Sequence, residues 1–111
     1  MNSYTVNIFN DIKLDCGEGP VWDEYHKRLW WTDAVGEAIY HQQLNGEPSL
    51  FYEGIAAAAL CLHEDGSPIV ANHHGFFKIT SHSDVTPLVK EDSQLIPFAL
   101  NEIIADPIGR I

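Results

Sequence analysis

The chain has 111 residues, enough for one small domain, and 45% hydrophobic with 11% aromatic residues is enough to bury a core. Six basic residues against 16 acidic ones give a net charge of −10, which argues against a nucleic-acid partner, because phosphate binding needs concentrated Lys and Arg. The N-terminus has no basic n-region and no apolar run approaches the roughly 18 residues of a membrane span, so the expectation is a cytoplasmic protein with no membrane partner and with Cys16 and Cys61 as reduced, buried thiols.

Taken in chain order, Tyr4 to Phe9 is apolar enough for a strand but has no partner in the first repeat. Pro20 to Asp23 and Arg28 to Thr32 predict two strands around a turn at Glu24 to Lys27. A second turn near Val35-Gly36 leads to Ala38 to His41, and Asn45-Gly46 leads to Ser49 to Tyr52. Asn-Gly between apolar runs signals a hairpin, because both residues tolerate positive φ. Leu60 to His63 and Pro68 to Ala71 repeat the first pair around Asp65-Gly66, and the small residues Ala56 to Ala59 are expected to be an inner strand. Phe76 to Ile79 and Thr86 to Val89 complete the second set. Ile103 to Ala105 and Arg110-Ile111 open a third around Pro107 to Gly109.

Asp23, Glu64 and Asp106 recur at intervals of 41 and 42 residues, each after an apolar strand and before a turn. A period of roughly 40–45 residues holding several short strands is the signature of β-propeller blades. The predicted fold class is therefore all-β: two complete four-stranded blades and the start of a third. The expected boundaries are 19–54, 56–91 and 98–111 within one domain, 1–111. Propellers close with about four to eight blades. The chain is thus expected to be an open N-terminal part of a ring, with Tyr4 to Phe9 as the outer strand of a last blade and with exposed faces that favour self-association.

The chemistry concentrates in two stretches. The first is Gly17-Glu18-Gly19-Pro20-Val21-Trp22-Asp23 with its continuation Arg28 to Asp33. The second is Asn101-Glu102-Ile103-Ile104-Ala105-Asp106-Pro107-Ile108-Gly109-Arg110. Together they resemble the gluconolactonase family, which includes senescence marker protein-30 (regucalcin) and luciferin-regenerating enzyme. The resemblance implies a six-bladed propeller with one divalent cation at the mouth of its channel and a sugar-type lactone as substrate. It implies that Glu18 ligates the metal and that Asn101 lines the substrate pocket, while the remaining ligands fall beyond Ile111. The residues themselves agree for Glu18. Flanking glycines permit an unusual backbone bend and Pro20 fixes the next residue. A carboxylate so held suits Ca²⁺ or Mg²⁺, with Zn²⁺ and Mn²⁺ left open. Such a cation would polarise a lactone carbonyl and activate water. The chain departs from the family pattern at Ala99, where an Arg is common, and at Glu102, where an Asp is common. The rival reading is an inactive truncated or degenerate propeller segment that only binds a partner or a small molecule.

Other candidates read as structural. His73 and His74 are adjacent, so in a strand they would face opposite ways. Asp23, Glu64 and Asp106 are expected to cap their turns. Trp22, Trp30 and Trp31 are expected to pack between blades, and Asp11 and Asp15 to be surface charges.

Overall fold

A computed structural model describes residues 2–90 and 101–111. Eight strands form in the described residues: β1 Gly17–Asp23, β2 Arg28–Asp33, β3 Ala38–Gln43, β4 Ser49–Glu53, β5 Ala59–Leu62, β6 Pro68–Asn72, β7 Gly75–Ser81 and β8 Asp84–Lys90. They make two four-stranded antiparallel sheets, each in the order of the chain, β1-β2-β3-β4 and β5-β6-β7-β8. Among the described residues there is no helix, and none therefore long and apolar enough to cross a membrane.

Alternation decides which face each strand buries. In β2, Trp30 and Thr32 point to the second sheet's side, and Leu29 and Trp31 to the opposite face. Trp30, Ile39, Leu60, Val70 and Ile79 are almost fully buried and form one core cluster with Ala57. Phe51 meets the Trp30 ring edge-on at 4.9 Å, and the Arg28 guanidinium lies 4.7 Å from its centroid. Removing a core aromatic of this size costs about 3–5 kcal/mol, so Trp30 is the anchor of the two-sheet unit.

The backbones of the two sheets come together at Gly19. Its φ is +56°, and the ladder between β1 and β2 slips its register between Glu18 and Val21. A Cβ at Gly19 would lie 3.0 Å from the Ala58 carbonyl oxygen and 3.3 Å from the Leu60 nitrogen. Glycine thus serves two needs at once, a left-handed bend and room for the neighbouring backbone.

Four expectations change. Only Ala59 of the alanine run joins a strand, because the Ala56 carbonyl accepts a hydrogen bond from Asn72 Nδ2 at 3.0 Å instead of a ladder partner. The Asn45-Gly46 hairpin forms, but Gly46 keeps an ordinary φ; its N–H donates to the Gln43 carbonyl at 2.9 Å. Positive φ falls on Lys27 and Glu37, both +54°. In residues 101–111 only the turn forms. Asp106 N–H donates to the Arg110 carbonyl at 2.8 Å, while Ile103 to Ala105 has no strand partner among the described residues. Tyr4 to Phe9 is likewise not a strand, although Gln42 Nε2 donates to the Phe9 carbonyl at 3.3 Å. Ala99, residue 91 and the expected opening of the third unit at residue 98 lie outside the described residues.

Candidate functional site

Glu18 sits at the start of β1, opposite Thr32, with Gly17 opposite Asp33. The Thr32 hydroxyl donates to the Glu18 carbonyl at 3.3 Å, which fixes the backbone below the bulge. The Glu18 side chain is half-buried, and the Cys16 thiol lies 3.9 Å from its Oε1. It lines a shallow groove of about 300 Å³ with Phe9, Ile12, Leu14, Leu29 and Trp31. A flexible carboxylate is thereby confined between an apolar wall and the open end of the sheet.

What holds this corner is Asp33. It is buried, and its Oδ1 accepts the N–H groups of Cys16 and Gly36, each at 2.9 Å, while Oδ2 accepts that of Asp15 at 2.9 Å. The Gly36 N–H is the largest influence lowering the Asp33 pKa; burial opposes it, and Asp15, Cys16 and Val35 add to it. A Cβ at Gly36 would come within 2.5 Å of the carboxylate, so glycine is required there. Asp33 closes both the turn ahead of β3 and the entry to β1, and so sets where Glu18 begins. The sequence carries Asp33 only as the end of a Trp-x-Asp strand; the Gly36 three residues later is the signal that it caps a turn.

The opposite end of the sheets is built for packing. Asp23 accepts from His26 N–H at 3.0 Å, pairs with the His26 ring at 2.8 Å and with Arg28 Nε at 3.1 Å. Burial pushes the Asp23 pKa up, but these partners outweigh it and leave the carboxyl below its ordinary value. The His26 ring in turn lies over Gly66 of the second sheet, where a Cβ would meet it at 2.8 Å. In the second repeat the turn carboxylate is Asp65, not Glu64. It accepts from Ser67 N–H at 2.9 Å and from the Lys78 ammonium at 2.5 Å, which holds it far below the usual range. Asp106 repeats the device with Ile108 N–H at 3.0 Å and Arg110 N–H at 2.9 Å.

The tryptophans divide. Trp30 packs between the sheets, Trp31 stacks on Tyr40 at 5.8 Å on the other face of the first sheet, and Trp22 is 40% exposed with its Nε1 donating to Glu24. Asp11 and Asp15 are exposed. His73 and His74 lie in the turn between β6 and β7, not in a strand, so their rings come together with centroids 3.8 Å apart.

Asn101 is exposed and lies outside any strand. Its neighbours Glu102 to Ala105 line a largely apolar cavity of about 540 Å³ with Pro20, Val21, Trp22, Leu60 and Cys61. The Glu18 groove and this cavity share Pro20. Neither of these cavities holds both Glu18 and Asn101, and among the described residues no three His, Cys, Asp or Glu side chains sit close enough to hold a metal ion. One carboxylate does not make a cation site, so the described residues do not by themselves fit a bound divalent ion.

A family model described as the SMP-30/gluconolactonase/LRE-like region matches residues 16–111. The chain belongs to this family. It is 28% identical over 110 residues to pentonolactonase XacC of Haloferax volcanii, covering 96% of this chain and 36% of that protein. It is 26% identical over 106 residues to YvrE of Bacillus subtilis, a protein whose name assigns it provisionally to the sugar lactone lactonases; the match covers 91% of this chain and 35% of that one. The family member thus spans about a third of the length of these curated relatives. Among solved structures, it superposes on a gluconolactonase of Xanthomonas campestris with a TM-score of 0.75 at 16% identity, over 87% of this chain and 34% of that one. A regucalcin of Agrobacterium tumefaciens, described as a calcium-binding protein, gives 0.68 at 21% identity over 79% and 30%. The all-β, propeller-type reading of the two sheets stands on these likenesses of fold.

Proposed function

We propose that this chain forms part of a hydrolase of sugar-type lactones, with its two sheets as successive blades, 19–54 and 56–91, and a third opening at 98–111. The observation that carries the reading is the Glu18 corner. A single carboxylate stands on a glycine-flanked bulge at the sheet end, strapped in place by Asp33, in a member of a family whose named relatives include a pentonolactonase. Glu18 supplies one ligand to a divalent cation whose other ligands lie outside the described residues, and Asn101 contributes to the substrate pocket.

The chain's own part in the reaction is positional. Asp33 fixes the Asp15-Cys16 entry, Thr32 fixes the Glu18 carbonyl, and Leu29 and Trp31 form the apolar wall beside the Glu18 carboxylate. The decisive experiment assays the intact protein and residues 1–111 separately against a panel of pentono- and hexonolactones with added Ca²⁺, Mn²⁺ or Zn²⁺. We expect the intact protein to hydrolyse at least one lactone and residues 1–111 to hydrolyse none. An intact protein inert towards every lactone would overturn the activity; turnover by residues 1–111 alone would overturn the incomplete-site account.

A further inference from the structure

A second cavity lies at the same end of the sheets as Glu18. It has a volume of about 360 Å³ and is lined by Glu37, Ile55, Ala56, His73, His74 and Phe77 among others. Its end is fixed by register. Glu18 pairs with Thr32 at the close of β2, Asp33 pairs with Ala38 at the start of β3, and Ala38 pairs with Glu53 at the close of β4. In the second sheet Asn72 pairs with Gly75 around the His73-His74 turn. Gly19 lies against Ala58 and Leu60, so the starts of β1 and β5 are side by side. The turn before β3 and the turn before β7 therefore flank one rim.

This rim is built. Glu37, at φ +54°, presents its carbonyl to the N–H groups of Gly54 and Ile55 at 2.8 and 3.3 Å. The next carbonyl along, that of Ala56, accepts from Asn72 Nδ2 at 3.0 Å, and Asn72 Oδ1 accepts the His74 N–H at 2.8 Å. Asn72 is only 9% exposed. A continuous line of hydrogen bonds thus runs from the first sheet's turn through the connecting loop to the second sheet's turn. Onto this frame the chain places two adjoining imidazoles and a carboxylate, all on exposed residues, beside Ile55 and the half-buried Phe77. A few polar groups set on an apolar floor is the composition of a small-molecule site. Imidazole donates and accepts, and carboxylate accepts. Together they match the mixed donor–acceptor hydroxyls of a sugar ring, while Phe77 offers an apolar face.

Distance says which sugar. Glu37 stands two strands out from Glu18, about 10 Å at the usual inter-strand spacing. A lactone ring held at Glu18 does not reach that far, but a glycosyl unit attached to it does. We propose that Glu37, His73 and His74 form a subsite for the second sugar of a glycosylated aldonolactone, which rests on the lactone-hydrolase reading and narrows its substrate class.

The intact protein can be titrated at fixed pH with cellobionate, and separately with gluconate, while the histidine ring signals, assigned through His73→Ala and His74→Ala, are followed by ¹H–¹³C NMR. Saturable shifts of His73 and His74 with cellobionate but not gluconate are expected. His73→Ala and Glu37→Gln should each weaken cellobionate binding about fivefold or more, the equivalent of one hydrogen bond. Both residues are exposed, so neither variant threatens the fold. Ring signals unmoved by cellobionate, equal shifts with gluconate, or unchanged affinity in both variants would overturn the subsite. The measurement involves no turnover. An intact protein inert towards simple lactones would sink the activity, whereas a lactonase whose His73 and His74 ignore the glycosyl unit would sink the subsite alone.

Discussion

The two ends of the paired sheets use the same residue types for different purposes. At one end Asp23, His26 and Arg28 form a closed set whose outer member, the His26 ring, presses on Gly66 of the neighbouring sheet. At the other end Asp33 spends its hydrogen bonds on the backbone of Asp15, Cys16 and Gly36, and leaves Glu18 without a structural task of its own. Both ends touch the neighbouring sheet, the first through the His26 ring and the second through Gly19, but only at the second does a buried carboxylate fix the backbone that carries another one. Recurrence of an acidic residue along the chain does not separate the two cases. What separates them is whether the carboxylate's partners are its own turn or the backbone that carries another side chain.

The largest expected effect lies where the sheets touch. Gly19→Val imposes a β-branched side chain on a left-handed φ and drives it into the Ala58 carbonyl. It should cost about 3 kcal/mol, from backbone strain together with the contact. Gly46→Ala is the control: its φ is ordinary and its nearest neighbour would be 3.5 Å away. That change should stay within about 0.5 kcal/mol. Urea denaturation of the two variants measures both. Equal losses would mean that the close approach at Gly19 does not govern sheet packing.

Acid should act on both ends, and the sign is set by the carboxyls. Asp23, Asp33 and Asp65 all titrate lower in the folded chain than in the unfolded one. Their contribution is complete above the unfolded value, about 4, and is lost as pH falls through the lowered folded values. The urea midpoint should drop progressively below about pH 4 as these carboxyls protonate, after an earlier and smaller decline below about pH 6.5 from His41, whose pKa burial lowers in the folded chain. Asp33→Asn should reduce that drop and lower the midpoint at pH 7. A variant with the wild-type acid slope would show that Asp33 is not one of the groups responsible.

Much of the fold is legible in the sequence. Short apolar runs bounded by turn residues locate all eight strands, because each hairpin needs a polar or glycine-bearing turn between its buried segments. Gly17-Glu18-Gly19-Pro20 marks the bulge, since only a glycine-rich bend needs that composition. Side chains that replace a ladder are not legible. Asn72 takes the Ala56 carbonyl and so keeps Ala56 out of β5, and nothing local to the alanine run announces it. The 41-residue interval points to Glu64, whereas the hydrogen-bonding acid is Asp65, because a turn's length can shift by one without disturbing its strands. His73 and His74 read as strand residues for want of a turn signal; Asn72 supplies that turn by accepting the His74 N–H.

The histidines offer a smaller test of the same contrast. His26→Ala removes the ring that bonds Asp23 and covers Gly66, and should destabilise by about 1 kcal/mol. His73→Ala removes an exposed ring at the other end and should leave stability within about 0.5 kcal/mol. Thermal melts of the paired variants decide it. A His73 variant less stable than the His26 variant would reverse the assignment of the two ends.

Glu18→Gln should have the smallest effect on stability and the most specific effect on binding. The side chain is half-buried, its only described neighbour at bonding range is the Cys16 thiol at 3.9 Å, and its backbone is held by Thr32 whatever the side chain carries. A neutral amide of the same shape therefore leaves the bulge, the groove and the melting temperature in place. Cation affinity is another matter, because a hard divalent ion is held by charged oxygen ligands and this chain offers one at that corner. In the intact protein, the substitution should weaken divalent-ion binding by more than about tenfold. Calorimetric titration with Ca²⁺, Mn²⁺ and Zn²⁺, run beside a thermal melt, separates the two quantities. Unchanged affinity would remove Glu18 from the ligand set, and a large fall in melting temperature would show that Glu18 belongs with Asp23 among the residues that hold the sheets together.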